Sequence, residues 1–244
     1  MSPKDWFQSW FNTPYYHMLY QHRDSKDAEL FVQALVKKLA ITEGDKVLDL
    51  ACGRGRHARF LEQLGLKVCG IDLSEENIDY AKKHVPNVNF FVKDMREEFG
   101  LNKYDFIFNL FTSFGYFEND KEHIQSLKNI NTALKPKGVL TLDFLNVNRL
   151  KQGLIEDEEI STETGVRFNI RREIQNKKIV KTIAVYEENE EYSFQEKVTM
   201  LTLKDFERFF DQAGLTILDC FGDMKLSPFQ ESTSERLVII AQRN

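Results

Sequence analysis

Apolar positions along the chain alternate between two spacings. Leu30, Phe31, Ala34, Leu35 and Leu39 recur at helical intervals, which predicts an amphipathic helix over 25–40 capped by Ser25. After the turn Thr42-Glu43-Gly44-Asp45, a compact apolar run over 46–50 predicts a strand. It breaks into Ala51-Cys52-Gly53-Arg54-Gly55, followed by about ten residues of helical pattern ending near Gly65 and by a second strand over 67–71 that closes on Asp72. A strand, tight turn and helix N-terminus leave backbone N–H groups unpaired at the mouth of a parallel sheet, and glycine lets backbone approach a ligand.

The alternation continues. Ser74 opens a helix with Glu75, Glu76 and Asn77 in its first turn, ending before Pro86. A third strand over 88–92 runs into Lys93-Asp94-Met95, and a fourth over 104–110 is almost wholly apolar, as a strand covered on both faces should be. A helix over 121–134 stops at Lys135-Pro136-Lys137-Gly138, and a fifth strand occupies 139–145. This pattern predicts a doubly wound, mostly parallel α/β sheet.

Between 149 and 201 the helical period disappears. Segments over 167–174, 179–187 and 191–201 alternate and are rich in β-branched and aromatic residues, separated by Gln175-Asn176-Lys177 and Glu188-Asn189-Glu190. These are hairpin signals, and they predict an antiparallel insertion of three or so strands. Thr202 then caps a helix over 204–213, with a capping box through Asp205 and a stop at Gly214. Strands over 216–221 and 236–242 are expected to pair antiparallel and complete a seven-stranded sheet. The domains expected are therefore 25–148 with 202–244, and the insertion 149–201. Ahead of them, residues 1–24 hold Trp6, Phe7, Trp10, Phe11, Tyr15, Tyr16 and Tyr20, partly at helical spacing. That segment reads as an arm docked on the main body, as a lid over a site, or as both.

Composition narrows the class. At 244 residues, 42% hydrophobic and 29% charged, the chain can bury a sizeable core. No apolar run reaches the roughly 20 residues of a membrane span, and the N-terminus lacks a basic-then-apolar leader, so a cytoplasmic protein without membrane association is expected. Cys52, Cys69 and Cys220 show no CxxC spacing, and the histidines show no metal-ligand spacing, so neither disulfide nor metal site is expected. The net charge of −5 disfavours nucleic acid as a partner, although Arg171-Arg172 and Lys177-Lys178 on the insertion can form a local basic surface. Monomer and dimer both stay open.

Five stretches taken in order resemble the class I S-adenosylmethionine-dependent methyltransferases. Val47-Leu48-Asp49-Leu50-Ala51-Cys52-Gly53-Arg54-Gly55 resembles the first motif, with Ala51 where glycine is more usual. Gly70-Ile71-Asp72-Leu73-Ser74 resembles the acidic second-strand motif, and Lys93-Asp94-Met95 the third-strand adenine contact. Asn109-Leu110-Phe111 resembles the fourth-strand motif, and Leu134-Lys135-Pro136-Lys137-Gly138 the turn before strand five. The resemblance covers 28–145 and 202–244, and the segment after strand four is similar to that of bacterial small-molecule N-methyltransferases, including those acting on amino sugars.

The resemblance implies S-adenosyl-L-methionine as cofactor. Asp49, or the Ala51 carbonyl, would meet its ammonium. Cys52 and Gly53 belong to the backbone cradle, Asp72 with Leu73 would hold the ribose, and Asp94 and Met95 the adenine. Asn109, Leu110 and Phe111 close the fourth-strand wall. On the arm, Tyr16, Tyr20 and Arg23 are cofactor-side candidates, with Arg23 reaching the carboxylate. Phe111-Thr112-Ser113-Phe114-Gly115-Tyr116-Phe117 is the candidate acceptor wall. Tyr116 and His17 are the candidate catalytic groups, needed more for a hydroxyl acceptor than for an amine, since an in-line displacement from a sulfonium gains most from orientation. The implied partner is a small-molecule acceptor, amine favoured. A non-catalytic S-adenosylmethionine-binding protein and an RNA or protein methyltransferase are the alternatives. Gly53-x-Gly55-x-x-Ala58 with Asp72 about 20 residues on also satisfies a relaxed dinucleotide fingerprint, but a nicotinamide oxidoreductase predicts neither Asp94-Met95 nor the terminal antiparallel pair.

Overall fold

The computed structural model describes residues 6–20 and 25–244. Two short helices, α1 (Trp6–Phe11) and α2 (Pro14–Leu19), precede α3 (Ser25–Lys38). Then β1 (Lys46–Leu50), α4 (Arg56–Gln63), β2 (Lys67–Asp72), α5 (Glu75–His84) and β3 (Asn89–Val92) alternate strand and helix. β4 (Tyr104–Asn109), α6 (Asp120–Ala133), β5 (Leu134–Leu145) and α7 (Val147–Gln152) follow. The insertion comprises β6 (Asp157–Ser161), β7 (Arg167–Gln175), β8 (Lys178–Glu187) and β9 (Glu190–Thr199), and α8 (Leu203–Ala213), β10 (Leu215–Phe221) and β11 (Arg236–Arg243) finish the chain.

The large sheet has the order β10-β11-β5-β4-β1-β2-β3. Its first five strands in sequence are parallel, and β11 pairs antiparallel with both β5 and β10, as expected. Apolar side chains of α3, α4 and α5, such as Phe31, Leu61 and Ile78, cover one face. Leu127 and Ile130 of α6 with Phe206, Phe209 and Phe210 of α8 cover the other. Burial on both faces is why these strands read as continuous apolar runs rather than alternating ones. Strand order reverses between β1 and β4, and such a switch point opens a crevice at the strands' carboxyl ends.

Local chemistry fixes the element ends. Ser74 accepts from the Asn77 N–H, Asn119 caps α6, and Thr202 with Asp205 forms the anticipated capping box before a left-handed Gly214. One turn reads differently from the expectation. Residues 135–138 belong to β5, which starts at Leu134 and pairs with Tyr104, then bulges before Val139 meets Phe106. Lys137 supplies the positive φ of that bulge, and a bulge carries turn-like residues without ending the strand.

The insertion forms its own antiparallel sheet, β6-β7-β8-β9, with four strands rather than three. The arm is also placed differently from a docking on the main body. Trp10, Tyr15 and Leu19 share a hydrophobic cluster with Val166, Phe168, Ile170, Ile183 and Val185 of the insertion, so the arm packs chiefly on the second sheet. Its link to the large sheet includes a side-chain hydrogen bond between Asn12 and Ser74.

Candidate active site

The β1–α4 loop turns with three left-handed residues, Ala51, Gly53 and Gly55. Ala51 occupies the glycine-preferring position at φ 59°, which alanine tolerates at a modest energetic cost. The Cys52 N–H donates to the Ile71 carbonyl at 3.0 Å, and the Gly53 N–H to Asp72 Oδ2 at 2.8 Å, tying the loop to the end of β2. The two motif glycines have separate duties. A Cβ on Gly53 would meet nothing within 4 Å, whereas one on Gly55 would stand 2.8 Å from Phe90 Cζ. Gly53 keeps the cradle open, and Gly55 lets α4 close onto the sheet. Asp72 Oδ1 accepts from the Ser74 N–H at 2.9 Å. Burial pushes the Asp72 carboxyl above its ordinary pKa, opposed by those two N–H donors.

This loop is one wall of a cavity of about 910 Å³ at the carboxyl ends of the parallel strands. Leu50, Asp72, Lys93, Leu110 and Leu145, one from each of β1 to β5 or the residue just beyond, all line it. The volume suits a nucleoside cofactor with a small second ligand. Ala51, Cys52, Gly53, Leu73, Asp94, Met95 and Phe111 line it as well. Asp94 is gripped by Arg96 through Nε and Nη2 at 3.0 and 2.6 Å, and Arg96 also reaches Glu122 at 3.3 Å. The Arg96 guanidinium lies over the rings of Phe7 and Phe117, which joins the third-strand acid to the arm and to the acceptor wall. Arg96 escaped the sequence reading although Asp94 stands two residues away, because Glu122, Phe7 and Phe117, which join it to the arm and the wall, come from distant segments.

Two expected wall residues stand behind the wall. Asp49 is 1% exposed, absent from the cavity lining, and accepts from the Ala58 N–H at 3.0 Å, so it secures the first turn of α4. Asn109 is fully buried and donates from its amide to the Leu50 carbonyl at 3.0 Å, bracing β4 against β1. Side chains alternate along a strand, so a polar residue at a strand's end faces a helix as readily as the crevice.

The corner after β4 carries two consecutive left-handed residues, Phe111 at φ 62° and Thr112 at φ 58°. Buried Asp143 holds them there, its Oδ2 accepting from the Phe111 N–H at 2.8 Å and its carbonyl from the Thr112 N–H at 3.0 Å. Arg236 of β11 completes the knot, donating to Asp143 and from Nη2 to Thr112 Oγ1 at 2.9 Å. Both Arg236 and Asp143 escaped the sequence reading, which saw only a strand start and a strand interior. Phe114 is wholly buried against Phe117 and Phe206 and serves the core, whereas Tyr116 faces the cavity with its hydroxyl donating to the Thr112 carbonyl at 2.5 Å.

The arm roofs the cavity through Phe7, Phe11, Tyr16, His17 and Tyr20. Trp6 and Phe11 pack on the Tyr116 ring at 5.6 and 5.5 Å between centroids. Burial, aided by nearby Arg54, pushes the His17 pKa down to about 4, so its imidazole is neutral at physiological pH. Glu196 of β9 fastens the roof, accepting from Trp10 Nε1 at 2.7 Å and from the Tyr20 hydroxyl at 2.7 Å, with Lys181 Nζ 3.7 Å away. Arg23 lies outside the described residues. Among those described, no group of three or more His, Cys, Asp or Glu gathers to hold a metal ion, and no helix is long and apolar enough to cross a membrane. The three cysteines are free thiols.

A parallel sheet with this order, a terminal antiparallel pair and a glycine cradle at the switch point define the α/β methyltransferase fold. Residues 47–138 match the family model described as a methyltransferase domain. It is 35% identical over 117 residues to the uncharacterized methyltransferase sll0829 of Synechocystis, covering 47% of this chain and 53% of that one. The chain spans about half the length of the curated relatives it first matches. An S-adenosylmethionine-dependent methyltransferase from Clostridium acetobutylicum superposes with a TM-score of 0.81 at 19% identity, covering 94% of this chain and 96% of the other. An S-adenosylmethionine-bound amino pentose methyltransferase from Micromonospora echinaspora gives 0.72 at 20% identity, covering 95% and 98%.

Proposed function

We propose that this chain transfers a methyl group from S-adenosylmethionine to the amine of a small molecule. The observation that carries the reading is Asp72, whose carboxylate sits at the end of β2, fixes the Gly53 N–H and faces the cavity beside an open cradle. A carboxylate only accepts and offers about four lone-pair sites, which suits ribose hydroxyls. Asp94 and the Met95 amide are assigned to the adenine, with Arg96 holding the carboxylate in place.

When bound, the cofactor would supply a methyl group on a sulfonium, whose carbon an acceptor lone pair would attack in line as the C–S bond breaks and the thioether leaves. The chain's task is then orientation and exclusion of water, and the aromatic roof with Tyr116 provides both. Tyr116 and His17 are proposed to face the acceptor. Neutral His17 accepts or donates a hydrogen bond but is too weak a base to deprotonate a hydroxyl, which favours an amine acceptor. The 29% identity over 102 residues to an amino-sugar N,N-dimethyltransferase of Streptomyces venezuelae supports the same choice.

Asp72→Ala tests the reading. Losing two charge-assisted hydrogen bonds should weaken S-adenosylmethionine binding by about a hundredfold or more, with the thermal transition still cooperative. Unchanged affinity by calorimetry would remove the assignment.

A further inference from the structure

Arg96, in the loop after β3, is missing from the described residues that line the cavity, yet three of its partners, Asp94, Phe7 and Phe117, are among them. It stands behind the wall and touches the wall from three sides. The Asp94 carboxylate accepts from the Arg96 backbone N–H at 2.8 Å, from Nε at 3.0 Å and from Nη2 at 2.6 Å, which fixes both of its oxygens. Nη1 is left for Glu122 of α6 at 3.3 Å. The guanidinium carbon lies 5.7 Å from the ring centroid of Phe7 in α1 and 5.2 Å from that of Phe117 in the acceptor wall, within cation–π range of both. The other acid assigned to the cofactor repeats the arrangement. Asp72 Oδ1 accepts from the Ser74 N–H at 2.9 Å, and the Ser74 hydroxyl donates to Asn12, between α1 and α2. Each acid is therefore held by the residue two positions on, and that same residue holds the arm.

We propose that Arg96 is a positioning residue that joins the adenine acid Asp94 to the aromatic roof, so that cofactor binding and the docking of α1 strengthen each other. The inference rests on the reading of Asp94 as the adenine partner. A guanidinium carries five donors on a rigid plane, so one edge serves Asp94 while its far nitrogen serves Glu122 and its carbon stays over two rings. A lysine ammonium, a single point charge, cannot meet all of these at once. An adenine amine that donates to Asp94 restrains the carboxylate, and the carboxylate restrains the guanidinium on which Phe7 packs. The coupling runs equally in reverse, since a docked Phe7 keeps Asp94 aligned before the cofactor arrives. Phe7 also stacks on the Tyr116 ring at 6.4 Å, which brings the acceptor wall into the same unit.

The test is a double-mutant cycle read by calorimetric titration of S-adenosylhomocysteine into wild type, Arg96→Lys, Phe7→Leu and the double variant. Lysine keeps a charge beside Asp94 without the fork, and leucine keeps an apolar side chain in α1 without the ring; Arg96→Gln replaces Arg96→Lys if the latter folds poorly. Arg96→Lys should weaken binding about tenfold and Phe7→Leu about fivefold, with the double variant within about twofold of Arg96→Lys. In cofactor-free protein, hydrogen exchange in residues 6–11 should rise in Arg96→Lys while β7 to β9 keep their protection. Additive losses, about fiftyfold in the double variant, overturn the proposal, and so does a Phe7→Leu variant that binds like wild type. Unchanged exchange in Arg96→Lys overturns it equally, leaving Arg96 to serve Asp94 alone. Wild type that fails to bind S-adenosylhomocysteine would instead overturn the methyl-transfer reading, and exchange in the cofactor-free proteins would still report whether Arg96 holds α1.

Discussion

Burial pushes the Asp49 carboxyl from its ordinary 3.8 up to about 7, with the Ala58 N–H opposing the shift. The unfolded chain releases this proton near 3.8 and the folded chain near 7, so the unfolded state binds fewer protons through that window. Stability therefore falls as pH rises from about 4 to about 7, by an amount approaching ~4 kcal/mol for this group. Asp49→Asn keeps an acceptor for the Ala58 N–H without the charge. It should raise the melting temperature at pH 8 and flatten the decline between pH 4 and 7. Parallel melting curves for the two proteins across that range would show that the charge is compensated elsewhere. The same residue marks where the sequence stops informing. Asp49 and Asp72 both stand at strand ends in recognisable motifs, but which faces the crevice depends on the pleat and on where α4 lands. For Asp72, whose Oδ2 takes the Gly53 N–H, the motif and the geometry agree.

At the scale of elements, legibility follows burial. Strands β1, β2, β4 and β11 are embedded in apolar clusters and announce themselves as apolar runs, and α8 is bounded by a cap and a glycine. The missed pieces are those that bury little. β6, Asp-Glu-Glu-Ile-Ser, is an edge strand with no fully buried residue, and α7 is a single short turn capped by Asn146. The arm was visible as aromatic density, but its docking partner was not, because that partner is the insertion sheet. Trp10 is the anchor, 1% exposed, 4.7 Å from the Phe194 ring and bonded to Glu196. Trp10→Ala should cost about 3–5 kcal/mol locally. Hydrogen exchange should then accelerate in residues 6–20 and in β7 to β9, while β1, β2 and β4 stay protected. Uniform acceleration throughout would mean that the arm and both sheets unfold as one unit.

At the scale of the molecule, charge bears on the proposed choice of a small acceptor over RNA. The two basic pairs on the insertion that could favour RNA do not make a continuous basic surface, since Arg172 is paired with Glu158 and Lys178 with Glu118. The sheet face around Asn169 and Thr182 also brings Asp157 and Glu159 beside Arg171. The Lys and Arg side chains of the cavity lie beneath a roof of α1 and α2, where a duplex or a long single strand gains little from them. Polyanion binding depends on neutralising several phosphates along a track, and its affinity falls steeply with salt. The protein should therefore give no shift of a single-stranded or duplex RNA in native gels at about 50 mM salt, the condition that most favours such binding. A salt-sensitive complex, weakened by Arg171→Glu but not by Arg56→Gln, would move the acceptor to RNA and make the insertion its platform. Failure to bind under these conditions leaves a small molecule as the proposed acceptor.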